Sequence, residues 1–191
     1  TTTTDKSGQG NNGTRTGGTS LTIGKLGQAM KFNGSTGKVT LSNASTFNIT
    51  GNISLQAWVK TSASGVFQQV LTKDDNNTQR DWKFQINDTG KVGIAYKRSD
   101  GLQWVYGNTA INNNRWHHIV GINNGTDLLV YVDGILDVAS GNGKGGVQIN
   151  NGEAPVIGNG PLVSQYFTGN IDDVRIYNRA LSATEVKQLY N

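Results

Sequence analysis

The 191-residue chain has no cysteine, so neither a disulfide nor a thiolate metal site holds it together, and its redox compartment is not written in its thiols. Glutamate occurs only at Glu153 and Glu185, and histidine only as the adjacent pair His117-His118. Retaining and inverting glycosidases need two carboxyl groups facing one cleft. Glu153 falls in a loop beside Pro155, Glu185 falls in a helical pattern, and the neighbours Asp172 and Asp173 point to opposite faces of a regular strand. No residue is therefore assigned a catalytic role. The same alternation keeps both histidines from facing one ion, and one of them is expected to pack beside Trp116. No apolar run approaches the length of a membrane span and no basic, apolar leader opens the chain. Thr1 to Thr4 read as a linker remnant, and residues 5–191 as one domain.

Charge is also sparse. Seventeen basic residues against thirteen acidic ones give +4, spread along the chain with no basic stripe and no RNA-binding aromatic motif, which excludes a specific nucleic-acid partner. Proline is limited to two residues, whereas glycine reaches 26. With abundant asparagine and threonine, that composition fits short strands joined by glycine turns and argues against a helical bundle.

Alternation marks the strands. After a glycine-rich polar loop at Asp5 to Thr14, Ala29, Met30 and Phe32 supply a strand that Asn33-Gly34 ends. Ile53, Leu55, Ala57 and Val59 give the next a clear core face and leave Trp58 on the other, to be covered by a loop, by a terminal segment or by a ligand. Phe67, Val70 and Leu71 lead into a polar loop at Lys73 to Arg80. Trp82, Phe84 and Ile86 return as Val92, Ile94 and Tyr96, with Gly93 and Ala95 leaving the opposite face bare. Asp100-Gly101 turns the chain into Trp104 and Tyr106. His118, Val120 and Ile122 share one side of a further strand. Leu128 to Val132 is apolar on both faces, which predicts a strand covered on both sides, and Val147-Ile149 and Val156-Ile157 complete the series.

The final stretch closes the sheet. Ile171, Val174 and Ile176 form a strand whose alternation slips at Asp172-Asp173, the signature of a bulge. Ser182 stands three residues before Glu185, the spacing of a capping box, with Val186, Leu189 and Tyr190 at helical spacing behind it. About a dozen short strands with one short C-terminal helix define an all-β, two-sheet antiparallel sandwich or jelly roll.

Aromatic residues between Trp82 and Tyr106 suit a sugar ring, whose apolar C–H face lies on an aromatic face while its hydroxyls take polar partners. Trp104 and Tyr106 form the expected platform, with Lys97 and Arg98 able to favour an acidic saccharide. Trp82 and Tyr96 are further candidates, although their parity with Phe84, Ile86, Val92 and Ile94 places them equally well in the core.

In order and spacing, Gly27-Gln28-Ala29-Met30-Lys31-Phe32-Asn33-Gly34, Ser54-Leu55-Gln56-Ala57-Trp58-Val59-Lys60, Trp116-His117-His118-Ile119-Val120, Leu129-Val130-Tyr131-Val132-Asp133-Gly134 and the segment Gly169 to Ser182 resemble the laminin-G-like, concanavalin-A-like jelly rolls appended to secreted bacterial enzymes and surface proteins. The resemblance implies a monomeric, non-catalytic module of a secreted or cell-surface protein that binds a polysaccharide or other glycan. A protein-binding adhesion module, a structural spacer and a glycoside hydrolase are the alternatives, because one sandwich carries many functions. It also implies a structural calcium ion (Ca2+) held by Asp172 and Asn33, with carbonyls of the Ile49 to Gly51 loop as further ligands. Asn33 stands where the family usually has aspartate and offers one neutral oxygen in place of a carboxylate.

Overall fold

The computed structural model describes residues 1–42, 44–74, 80–140, 145–146, 152–160 and 165–191. Among them, fifteen strands form two antiparallel sheets. The eight-stranded sheet contains β1 (Thr2–Thr3), β2 (Gly13–Thr16), β5 (Lys38–Leu41), β14 (Val156–Ile157), β7 (Gln68–Asp74), β8 (Arg80–Ile86), β9 (Lys91–Arg98) and β10 (Gly101–Ala110), in that spatial order. The seven-stranded sheet runs β13 (Ile135–Ala139), β12 (Leu128–Val132), β11 (His117–Asn123), β6 (Ile53–Lys60), β15 (Thr168–Tyr177), β4 (Gln28–Asn33) and β3 (Thr19–Ile23). As expected of a final stretch that closes the sheet, β15 enters between β6 and β4, pairing Ile171 with Val59 on one side and with Met30 on the other. Two sequence expectations change in detail. Gly13 and Thr14, expected in the entry loop, begin β2, and the polar loop after Leu71 starts later because β7 continues through Asp74. Val147 and Ile149 lie outside the described residues.

The inner faces make one core. Phe32, Leu55, Trp82, Phe84, Ile94, Tyr96, Ile119, Val130 and Phe167 are among its buried members, with Phe32 and Phe167 meeting edge to face at 6.0 Å. At Gly121 a Cβ would come within 3.0 Å of both Phe84 and Ile94, so the missing side chain is what lets the two sheets approach there.

A second, smaller core lies on the outer side of the seven-stranded sheet. Helix α1 (Ala183–Tyr190) lays Val186 and Leu189 over Val120, Ile122 and Tyr131. Its start is the expected capping box: the Ser182 hydroxyl accepts the Glu185 N–H, and the Glu185 carboxylate accepts the Ser182 N–H at 2.8 Å. Arg179 holds the same carboxylate at 2.6 Å, and that contact, with the Ser182 bonds, lowers the Glu185 pKa to about 2. The predicted slip in β15 is also present. Its register with β6 shifts between Asp172 and Arg175, and Asp173 adopts a φ of 44°.

Candidate functional site

The cross-strand registers give the eight-stranded sheet an outer row that crosses six of its strands. Trp104 faces Ala95, Ala95 faces Lys83, Lys83 faces Thr72, Thr72 faces Val156 and Val156 faces Thr40. Directly opposite residues of antiparallel strands share a face, and the core residues Phe84, Ile94 and Leu71 occupy the alternate positions. The parallel row above it is Tyr106, Gly93, Gln85 and Gln69. The bareness expected at Gly93 and Ala95 is where the aromatics of β10 come in. A Cβ on Gly93 would stand 2.4 Å from two Tyr106 ring carbons, so only glycine lets that ring lie down on the sheet.

Polar side chains beneath this surface are tied into a network. Gln69 donates from Nε2 to Gln85 Oε1 at 2.7 Å and to Gln165 Oε1 at 2.9 Å, and Gln85 donates to the Tyr106 phenol. Burial pushes the Tyr106 pKa up, so its hydroxyl keeps its proton at neutral pH. Lys83 forms an ion pair with Asp74, and the buried Lys73 pairs with Asp81. The Thr72 hydroxyl donates to the Asn159 carbonyl at 2.9 Å. Further along the row, a cleft of about 290 Å³ opens between Lys38, Thr72, Asp74, Glu153, Val156 and Asn159. Among the described residues the buried Asn159 Oδ1 beside it has no hydrogen-bond partner.

The aromatic candidates separate cleanly. Trp104 is 56% exposed on the outer face and Tyr106 is half-buried beside it. Trp82 and Tyr96 are fully buried and face each other inside the sandwich, so their assignment to the platform is corrected: their parity with Phe84 and Ile94 governs. Lys97 shares the outer face with Trp104, being the partner of Leu102 two positions earlier. Arg98 does not. It lies on the alternate side of β9, and its guanidinium binds Asp100 at 2.8 Å and the Gly145 carbonyl at 3.0 Å. The cleft with its two carboxylates was missed in the sequence because Asp74 and Glu153 are 79 positions apart, and no local pattern links them.

Asn33 and Asp172 are not brought together as one set of calcium ligands. Asn33 faces Thr168 on β15, and Asp172 lies four residues further along that strand, roughly 13 Å away at ordinary strand rise. Asn33 Oδ1 accepts the N–H groups of Ser35, Thr36 and Gly37 at 3.0–3.1 Å, which closes the turn after β4. Asp172 Oδ2 accepts the Leu26 N–H at 2.9 Å and Oδ1 the Asp173 N–H at 2.8 Å. Calcium takes its oxygens at about 2.3–2.6 Å, and across that separation the two side chains do not fit a shared ion. Among the described residues no three His, Asp or Glu side chains cluster closely enough to hold a metal.

The histidines part as their alternation requires. His118 is buried against Trp58, ring centroids 5.2 Å apart. His117 contacts Asp133 at 2.8 Å and Asn113 at 3.0 Å.

Comparison with known proteins sets this geometry in a wider frame. The family model described as the concanavalin A-like lectin/glucanases superfamily matches residues 33–187. No curated protein sequence gives a significant match. Among solved structures, the binding domain of Paraclostridial Mosquitocidal Protein 1 superposes with a TM-score of 0.79 at 19% identity, covering 98% of this chain and 49% of that one. Domain 4 of AbnA, an extracellular arabinanase of Geobacillus stearothermophilus solved with arabinotriose, gives 0.72 at 20% identity, covering 94% and 88%. Botulinum neurotoxin type C, whose cell entry depends on interaction with two ganglioside molecules, gives 0.73 at 17% identity, covering 98% and 47%. The chain thus spans about half the length of the toxin chains and most of the arabinanase domain. No helix among the described residues is long and apolar enough to cross a membrane.

Proposed function

The chain belongs to the concanavalin A-like lectin/glucanase superfamily, and from that premise we propose that it is a non-catalytic carbohydrate-binding module of a larger secreted or cell-surface protein. The site is the outer face of β7–β10 together with the adjoining cleft. The observation that carries this is Trp104, a large indole more than half exposed on a sheet face that also carries Lys97, Lys83, Thr72 and the hydrogen-bonded Gln69, Gln85 and Tyr106. Exposed tryptophan on a rigid strand gives a flat apolar surface for a sugar ring at little conformational cost. Lys97, the Tyr106–Gln85 pair and the cleft groups then supply directional contacts for hydroxyls.

Trp104 and Val156 are four strand spacings apart along the row, roughly 19 Å at ordinary sheet geometry. A ligand touching both the platform and the cleft is therefore an oligosaccharide segment and not a single sugar. The glycan ligands named for two of the structural relatives, arabinotriose and gangliosides, support the class of ligand.

Edge strand β3 favours a second reading, a protein-binding module: Ile23 is 88% exposed and Leu21 51%. A glycan screen followed by calorimetric titration tests the first. Trp104→Ala is expected to weaken binding at least tenfold with the fold intact. Unchanged affinity in that variant would remove the platform, and a protein ligand with no glycan binding would favour β3. Turnover of a polysaccharide that Glu153→Gln abolishes would make the cleft catalytic and displace the binding module altogether.

A further inference from the structure

A second cleft, of about 280 Å³, lies on the outer face of the opposite, seven-stranded sheet. The registers build its floor from one row: Lys31 of β4 faces Asn170 of β15, and Asn170 faces Lys60 of β6. The two lysines thus flank one amide, with Cα positions two strand spacings apart, roughly 10 Å. Neither ammonium has a carboxylate partner among the described residues. The lining contains no acidic residue, and Thr22, Ser62, Thr168 and Asn114 complete it with hydroxyl and amide groups.

The fold keeps this space open. Gly169 has a φ of 131°, and a Cβ there would stand 2.2 Å from the Lys60 carbonyl oxygen, so no other residue lets β15 cross β6 at this point. The rim is set by Asn114, at φ 61°, whose N–H donates to the Thr61 carbonyl at 2.9 Å. The nearest acid along β15, Asp172, stands two residues on from Asn170 on the same face; its oxygens accept the Leu26 and Asp173 N–H groups, and among the described residues it forms no ion pair with either lysine.

We propose that this cleft is a second glycan site, independent of the Trp104 face, which takes a sugar unit carrying an anionic group, a carboxylate or a sulfate ester. Two lysines lining one cleft on either side of an amide suit such an anion through charge-assisted hydrogen bonds. The surrounding hydroxyls suit the hydroxyls of a sugar ring, and the lining has no aliphatic or aromatic side chain for an acyl chain to enter. The volume is at the small end of ligand pockets and suits one sugar unit.

Titration of the full chain with trigalacturonate, a sulfated trisaccharide, a neutral galactotriose and sodium sulfate tests the proposal. One or both anionic trisaccharides bind, in a manner that added salt weakens, and which of them binds tells carboxylate from sulfate. Each of Lys31→Gln and Lys60→Gln weakens that binding by about tenfold, as loss of one charge-assisted contact does. Asn170→Asp, which puts a carboxylate between the two lysines, abolishes it, and Trp104→Ala leaves it unchanged. Undiminished binding by a folded Lys31→Gln, Lys60→Gln double variant overturns the site. Equal affinity for galactotriose overturns its anion preference, and sodium sulfate binding as tightly as the trisaccharides reduces it to an ion site and overturns the glycan. Loss of the Trp104 face as a binding surface would leave these results untouched, so the two proposals fail separately.

Discussion

Trp58, on the central strand β6 of one sheet, and Trp104, on the edge strand β10 of the other, both stand on outer faces of the sandwich, and they have opposite fates. Trp58 is 3% exposed. Tyr190 of α1 stacks on it at 5.7 Å, His118 packs beside it, and Lys25 sits 4.8 Å over its ring. Trp104 remains open above Ala95. A strand's alternation says that a tryptophan leaves the main core; it does not say whether another segment arrives to cover it. On the seven-stranded side the C-terminal helix and the β3–β4 turn supply that cover. On the β9–β10 side Trp104 stays more than half exposed.

The sharpest way to break the comparison is to truncate both rings. Trp58→Ala empties a packed site and is expected to cost about 3–5 kcal/mol of unfolding free energy, whereas Trp104→Ala, which leaves no buried cavity, should change stability by less than about 0.5 kcal/mol. Urea midpoints of the two variants measure this, and equal losses would mean that Trp104 is structural.

His118 should give the next largest effect. Burial lowers its pKa to about 4 from an ordinary 6.5, outweighing Asp133 and Asp173, which favour the charged ring. Among the described residues, both of its ring nitrogens are buried without a hydrogen-bond partner. Its folded-state value lies below its unfolded one, so the unfolded chain takes up the proton first. Its contribution is complete above pH 6.5 and disappears as the pH falls through about 4. The loss over that interval is on the order of 3 kcal/mol. His118→Leu should lose less stability than the parent chain between pH 7 and pH 4, and identical losses would show that His118 is not what makes the helix-covered face acid-sensitive.

Asp172 brings a smaller effect and decides the calcium question. Its carboxylate anchors the Leu26 N–H of the turn whose Lys25 covers Trp58. Asp172→Ala should cost about 1–3 kcal/mol, by the same amount in calcium as in chelator. A melting temperature that calcium raises in the parent chain and not in Asp172→Ala would establish an ion at this residue.

Much of the fold was legible because its signals are local. The capping box at Ser182–Glu185, the slip at Asp172-Asp173, the core parity of Ile53 to Val59 and the two covered faces of Leu128 to Val132 each depend on residues close in sequence. The site was legible only where parity sufficed. Trp104 and Tyr106 stand on the outer face, and the bareness of Gly93 is explained by the Tyr106 ring lying on it. Arg98 was misassigned because the hairpin at Asp100-Gly101 brings its own carboxylate to the guanidinium. Asn33 and Asp172 were paired by family position, yet Asp172 stands four residues along β15 from the strand partner of Asn33, and Asn33 closes its own turn while Asp172 anchors the β3–β4 turn.

The sequence by itself determined that the chain folds as a β-sandwich ended by a capped helix, because side-chain alternation, glycine turns and cap spacing act over a few residues and need no distant partner. Only the tertiary structure decided which outer surfaces stay open. That outcome depends on where α1 and the β3–β4 turn come to rest, and on registers that set Lys31 beside Asn170 and Lys60, or Trp104 in line with Lys83 and Thr72. Those neighbours are distant in sequence, and antiparallel pairing across several strands brings them within one to three strand spacings of each other.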